Sequence, residues 1–166
     1  MSQDDERFRK LIKPSGYQVF LFACPASLPC SFAVHPWFVC VKNGAISRWE
    51  VRFELNRERP ELGKHLHLNS LPPFSGIEII PFVRGKFLWK EKKLLGYLEG
   101  GEGSAAGETF NFIAASKDRY PHRNVYALWG PNSGTYVQWV LDHSPDFHVA
   151  LPWNSFGKKY KVDSVL

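Results

Sequence analysis

The chain has little sulfur: three cysteines (Cys24, Cys30, Cys40) and one methionine among 166 residues. The cysteine count is odd and no CxxC pair occurs, so a disulfide framework is not expected. Cys24 and Cys40 lie in apolar runs and read as small buried hydrophobes; Cys30 follows Pro29 in a loop as a free thiol. No run approaches the ~18 apolar residues of a membrane-spanning helix. The opening MSQDDERFRKLIK has no apolar stretch of the secretory kind, which leaves a cytoplasmic location as the expectation. A phosphate cradle is missing too. The Gly-rich stretch Glu99–Glu108 lacks the lysine of a P-loop and reads as a flexible loop. Acidic residues are the minority, 16 against 21 basic, for a net charge of +5. That balance favours acidic partners weakly and falls short of a dedicated nucleic-acid surface.

Aromatic residues are abundant: thirteen Phe, six Trp and six Tyr, 15% of the chain, within a 44% hydrophobic composition. Such a chain can build a ring-rich core. Its length fits one domain, divided as an N-terminal extension over 1–16 and a single α+β domain over 17–166.

Residues 1–13 are expected to form a short helix, broken by Pro14-Ser15-Gly16. Tyr17–Cys24 reads as a buried strand. Ser31–Val41 reads as a second strand interrupted by Pro36, which cannot donate to a ladder. The strand is therefore expected at an edge, or with a bulge just after His35. Asn43-Gly44 supplies turn chemistry, and Ala45–Leu55 alternates, so strands two and three form a hairpin. Trp49, Val51, Phe53 and Leu55 share one face, with Arg48, Glu50, Arg52 and Glu54 on the polar one. Asn56–Gly76 reads as irregular, Ile77–Val83 and Lys86–Trp89 as short strands, and Thr109–Asp118 as a helix or strand. Thr135–His143 is the strongest helix, with Tyr136, Val137, Val140 and Leu141 on one face and Pro145 beyond its end.

Two segments point to a site: AVHPWF (33–38) and GPNSGTYVQWV (130–140). Gly130 and Pro131 force a turn, and a helix follows at once. Asn132, Ser133 or Thr135 can cap it. The same geometry offers a hydroxyl at the positive end of a helix dipole, beside backbone donors suited to a developing anion. Ser133 is the candidate nucleophile if a base reaches it. His35 is the candidate base, or else a structural core histidine. Glu50 is the candidate group that orients it, or else a surface charge paired with Arg48 or Arg52. Asn132, Trp37, Thr135, Trp129 and Lys158 complete the candidate substrate-binding set.

The strings AVHPWF, RWEV, YPHRNVY, GPNSGTYVQWV and LPWNSFGKKY resemble the bacterial domain-of-unknown-function family 3750 over about residues 17–160. The chain departs from that pattern at Gly134, where the family has Asn, and at Lys159, where it has Asp. More distantly, the order of a strand with His, a strand with a polar residue and a helix opening after Asn is similar to circularly permuted papain-like domains. These are the NlpC-related hydrolases, the lecithin-retinol-acyltransferase group and the PPPDE-type peptidases. The resemblance implies an antiparallel β-sheet packed against helices, with His35 on the histidine position and Ser133 on the cysteine position. A thiol there ionises readily; a serine needs its proton removed during attack.

His65-x-His67 on a strand would suit a metal, but no third ligand has recognisable spacing, so neither metal nor cofactor is expected. The run Phe87-Leu88-Trp89-Lys90 with Lys92 and Lys93 interleaves rings and cations as single-strand binders do, without an RNP-like or KH-like string. The expectation is a hydrolase or acyltransferase acting on a peptide, amide or ester through Ser133 and His35. The alternative is a binding domain that uses the same cleft for a peptide or lipid, and a basic nucleic-acid adaptor ranks last.

Overall fold

Tyr17–Cys24 is apolar at almost every position because the strand it forms is covered on both faces. In the computed structural model, which describes residues 3–78 and 91–162, β1 (Tyr17–Pro25) is buried from its first residue to Cys24. It pairs antiparallel with β2 (Val34–Lys42) on one side and β5 (Lys93–Gly100) on the other. β3 (Ala45–Val51) and the short β4 (Leu66–Leu68) complete an antiparallel sheet in the order β4-β3-β2-β1-β5. The β2–β3 hairpin turns on Asn43 (φ 50°) and Gly44 (φ 79°), the left-handed pair that a two-residue hairpin requires.

Alternation divides the sheet's side chains between two cores. Val19, Leu21, Phe38, Cys40, Trp49 and Val51 face the helix layer. That layer is α2 (Ala105–Ala114), the single-turn α3 (Ser116–Arg119) and α4 (Ser133–Asp142), with Ile113, Tyr136, Val137 and Val140 turned inward. Phe20, Phe22, Trp37, Val39 and Val41 face the opposite way, against Leu71, Phe74 and Ile77. The N-terminal helix α1 (Gln3–Arg9) closes this second core, its Phe8 ring meeting Phe22 and Phe74 at 4.9 and 5.9 Å. The chain is thus α+β, an open antiparallel sheet packed by helices.

Several sequence expectations are corrected. β2 is an interior strand and carries no bulge: its register with β1 is continuous from Lys42 to Val34. Pro36 is tolerated because pairing with β3 stops at Phe38 opposite Trp49, so its missing N–H interrupts no ladder on that side. The alternating stretch 45–55 ends as a strand at Val51, and both of its faces are buried there, Trp49 and Val51 against the helix layer and Arg48 and Glu50 on the opposite side. Arg48 and Glu50 are 0% exposed, while Phe53 and Leu55 are 63% and 54% exposed. The Gly-rich stretch is strand to Gly100 and helix from Ala105, started by the Ser104 hydroxyl accepting from Gly107 N–H. Asn56–Gly76, read as irregular, contains a 3-10 turn (Pro60–Leu62) and β4. The expected strands after Glu78 lie outside the described residues.

Candidate active site

β3 leaves β2 after Trp49 and continues beside β4 alone, with Glu50 opposite His67 and Val51 opposite Leu66. Beyond that point the side chains of β2 and β3 meet on the sheet face that carries Trp37. His35 Nε2 lies 2.8 Å from Glu50 Oε2. Arg48 Nη2 donates to the same oxygen at 2.8 Å, while its Nη1 donates to the carbonyls of Pro72 and Ser75. The guanidinium lies 4.4 Å from the centre of the Trp37 ring, which stacks near His35. Burial acts to raise the Glu50 pKa, but the Arg48 charge, the His35 hydrogen bond and Arg52 outweigh it and hold the carboxyl well below the ordinary carboxylate range. An ionised carboxylate only accepts, so His35 Nε2 carries the proton and Nδ1 is the ring's basic nitrogen. His35 has the oriented-base arrangement that a nucleophile requires.

The GPNSGT turn supplies the other half. Asn132 is the N-cap of α4, its Oδ1 accepting from Gly134 N–H at 2.9 Å and Thr135 N–H at 3.3 Å. Thr135 Oγ1 accepts from Asn132 N–H and donates to Gly157 O, which completes a capping box. The Asn132 amide group donates to the carbonyls of Ala127 and Leu128. Asn132 and Thr135 are therefore committed to building the turn. Ser133, 5% exposed, is the first helical residue, and its hydroxyl has no hydrogen-bond partner among the described residues.

The two halves meet in one cavity of about 400 Å³, lined by Ala33, Val34 and His35 from β2 and its approach and by Asn132 and Ser133 from the α4 turn. Its other walls come from 26–30, 52–54, Ile77, 126–128 and Phe156 and are mainly apolar. No hydrogen bond joins His35 to Ser133. Glu50 stands behind His35, outside the cavity wall. Trp37 does not reach the cavity either; it is fully buried, with Nε1 donating to Pro73 O. Trp129 is 67% exposed against Phe156. Lys158 Nζ donates to the carbonyls of Leu151 and Pro152, away from the lining. Gly134 does not line the cavity: a Cβ there would lie 2.6 Å from Phe156 O and 2.8 Å from Ser155 Oγ.

Four contributors lie outside the candidate set. Arg48 clamps Glu50, and the two-residue spacing that puts both on one strand face was visible in RWE. Arg52 lies in the wall, paired with Glu54 at 3.2 Å and Glu78 at 3.3 Å. Tyr126 lines the cavity with its hydroxyl pushed up to about 12, first by burial and then by Glu54 and Cys30. The Cys30 loop lines it as well. Nothing in their local sequence marks these last residues, because loop packing alone brings them together. His65 and His67 form no metal site: His65 Nδ1 meets Arg52 O, and both His67 nitrogens are occupied by Ser70 and Glu54 O. No group of three or more metal-ligating side chains occurs among the described residues. No helix among them is long and apolar enough to cross a membrane.

No curated protein and no solved structure matches the chain. A family model described as a protein of unknown function (DUF3750) matches residues 17–160. That span takes in the whole sheet, both halves of the cavity and the segment that carries Phe156, and the chain belongs to the DUF3750 family.

Proposed function

We propose that this domain is a hydrolase or acyltransferase of the serine–histidine kind, acting on an ester, amide or peptide. The observation that carries the reading is the 2.8 Å bond between His35 Nε2 and Glu50 Oε2, with His35 and Ser133 lining one cavity. In the reaction, Ser133 Oγ attacks the substrate carbonyl and its proton passes to His35 Nδ1. Glu50 holds the ring and offsets the imidazolium charge, and the proton then leaves with the departing group. Water or an acceptor nucleophile takes the acyl group from Ser133. The Ser133 N–H, at the first position of α4, is the available anion donor, since the Gly134 and Thr135 N–H groups serve the cap. The order of His35 strand, Glu50 strand and Ser133 helix also supports the likeness to permuted papain-like domains.

A second reading, a binding domain that uses the cavity for a peptide or lipid, is favoured by the missing hydrogen bond between His35 and Ser133. An activated acyl ester such as a p-nitrophenyl ester separates the two. The catalytic reading expects a stoichiometric burst of nitrophenol, abolished in Ser133→Ala and His35→Ala. Saturable binding of the ester with no burst supports the binding domain.

A further inference from the structure

Three chain segments that help wall the cavity, 26–35, 125–133 and 151–162, expose large apolar side chains. Phe32 is 58% exposed, Trp129 67% and Trp153 83%. Phe32 and Trp129 form one patch: their rings meet Phe156 at 5.9 and 5.1 Å, and Phe156 itself lines the cavity. Asn154, next to Trp153, joins the segments by donating to Phe32 O and accepting from Val34 N–H. Water-exposed rings clustered around a cavity mark an interaction surface rather than a solvated one.

Charge on these segments has one sign. None of the three contains Asp or Glu, whereas the last carries Lys158, Lys159 and Lys161. Lys159 and Lys161 are exposed. Tryptophans flanked by lysines suit the boundary between acyl chains and anionic headgroups, where the ring sits at headgroup depth and the ammonium meets phosphate. The exposed rings of the patch sit on loops and turns.

We infer that this face docks on an anionic lipid bilayer, with Phe32, Trp129 and Trp153 at the headgroup–acyl boundary and Lys159 and Lys161 on the phosphates. The cavity then opens toward the membrane and receives its apolar ligand from it. Docking rests on the cavity as a ligand site and does not require Ser133 to act as a nucleophile.

The test is flotation of the full chain with vesicles of phosphatidylcholine alone or mixed with phosphatidylglycerol. The protein should float with the mixed vesicles and remain in solution with phosphatidylcholine. The triple variant Phe32→Ser, Trp129→Ser, Trp153→Ser should stay in solution while still unfolding in a cooperative thermal transition, since much of each side chain is exposed. Lys159→Glu with Lys161→Glu should weaken flotation about tenfold or more. Ser133→Ala should float like the parent chain, which separates failure of docking from failure of the chemistry. Flotation that is absent, or indifferent to the aromatic variants, overturns the inference. So does a patch that instead drives self-association, seen by sedimentation as a dimer lost in the triple variant.

Discussion

His35 bonds to Glu50 at 2.8 Å although the two residues never face one another in the β2–β3 ladder, which ends at Phe38 opposite Trp49. The contact is made beyond the end of that ladder, and Arg48 Nη2 donates to the same carboxylate oxygen at the same distance. A base, its orienting group and a buried cation are thus set in the core of the sheet rather than on a loop.

Breaking this network from one side should be costly. Glu50→Ala leaves the Arg48 guanidinium buried without its counter-charge, with an expected loss of about 3–5 kcal/mol in a urea-unfolding measurement. The double variant Arg48→Met, Glu50→Leu removes both charges and should lose clearly less than the two single changes added together. Additive losses would mean that the two charges do not act as a pair.

Acid should destabilise the fold in two stages. Burial, the largest influence, lowers the His67 pKa below its ordinary 6.5. The unfolded chain therefore takes up a proton that the folded one refuses, and stability declines as pH falls below 6.5. Glu50 is depressed below its ordinary 4.5, so its contribution is complete above that value and is lost as pH falls further. Unfolding free energy measured against pH should decline below 6.5 and steepen below 4.5. In Arg48→Met, Glu50→Leu the steeper part should shrink.

The turn before α4 should fail at its cap. Asn132→Ala removes an acceptor of two helix N–H groups and a donor to two carbonyls. Cap losses run to about 1–2 kcal/mol, which corresponds to a fall in melting temperature of several degrees at this chain length. An unchanged melting temperature would show that Asn132 does not hold the turn.

Two glycines near that turn should resist replacement. Gly157 has φ 86°, and a Cβ there would lie 2.3 Å from Asn132 Oδ1. Gly134 has Phe156 O and Ser155 Oγ in the same relation. Gly157→Ala and Gly134→Asn should each cost more than about 1 kcal/mol in denaturant unfolding. A neutral Gly134→Asn would show that the 155–156 segment shifts freely.

Much of this was legible in the residues. The pattern YQVFLFAC placed β1, Asn43-Gly44 placed the hairpin, and GPNSGT placed the entrance to α4. Single-sequence patterning could not show that the polar face at Arg48 and Glu50 is buried along with the apolar one, or that Phe53 and Leu55, beyond the strand, are exposed. Alternation separates two faces, but which of them is covered depends on the partner layer, here the 71–77 loop that accepts both Arg48 Nη1 bonds and supplies Phe74. The cavity walls at Cys30, Tyr126 and Phe156 were hidden for a related reason. They come from loops far apart in sequence, where no periodicity records contact.

The nucleophile assignment is tested most directly by treating the folded protein with a fluorophosphonate and mapping the adduct by peptide mass spectrometry. A single adduct on Ser133, lost in both Ser133→Ala and His35→Ala, is the expected result. A folded protein that gains no adduct, or carries one on Tyr126 with Ser133 untouched, would contradict it.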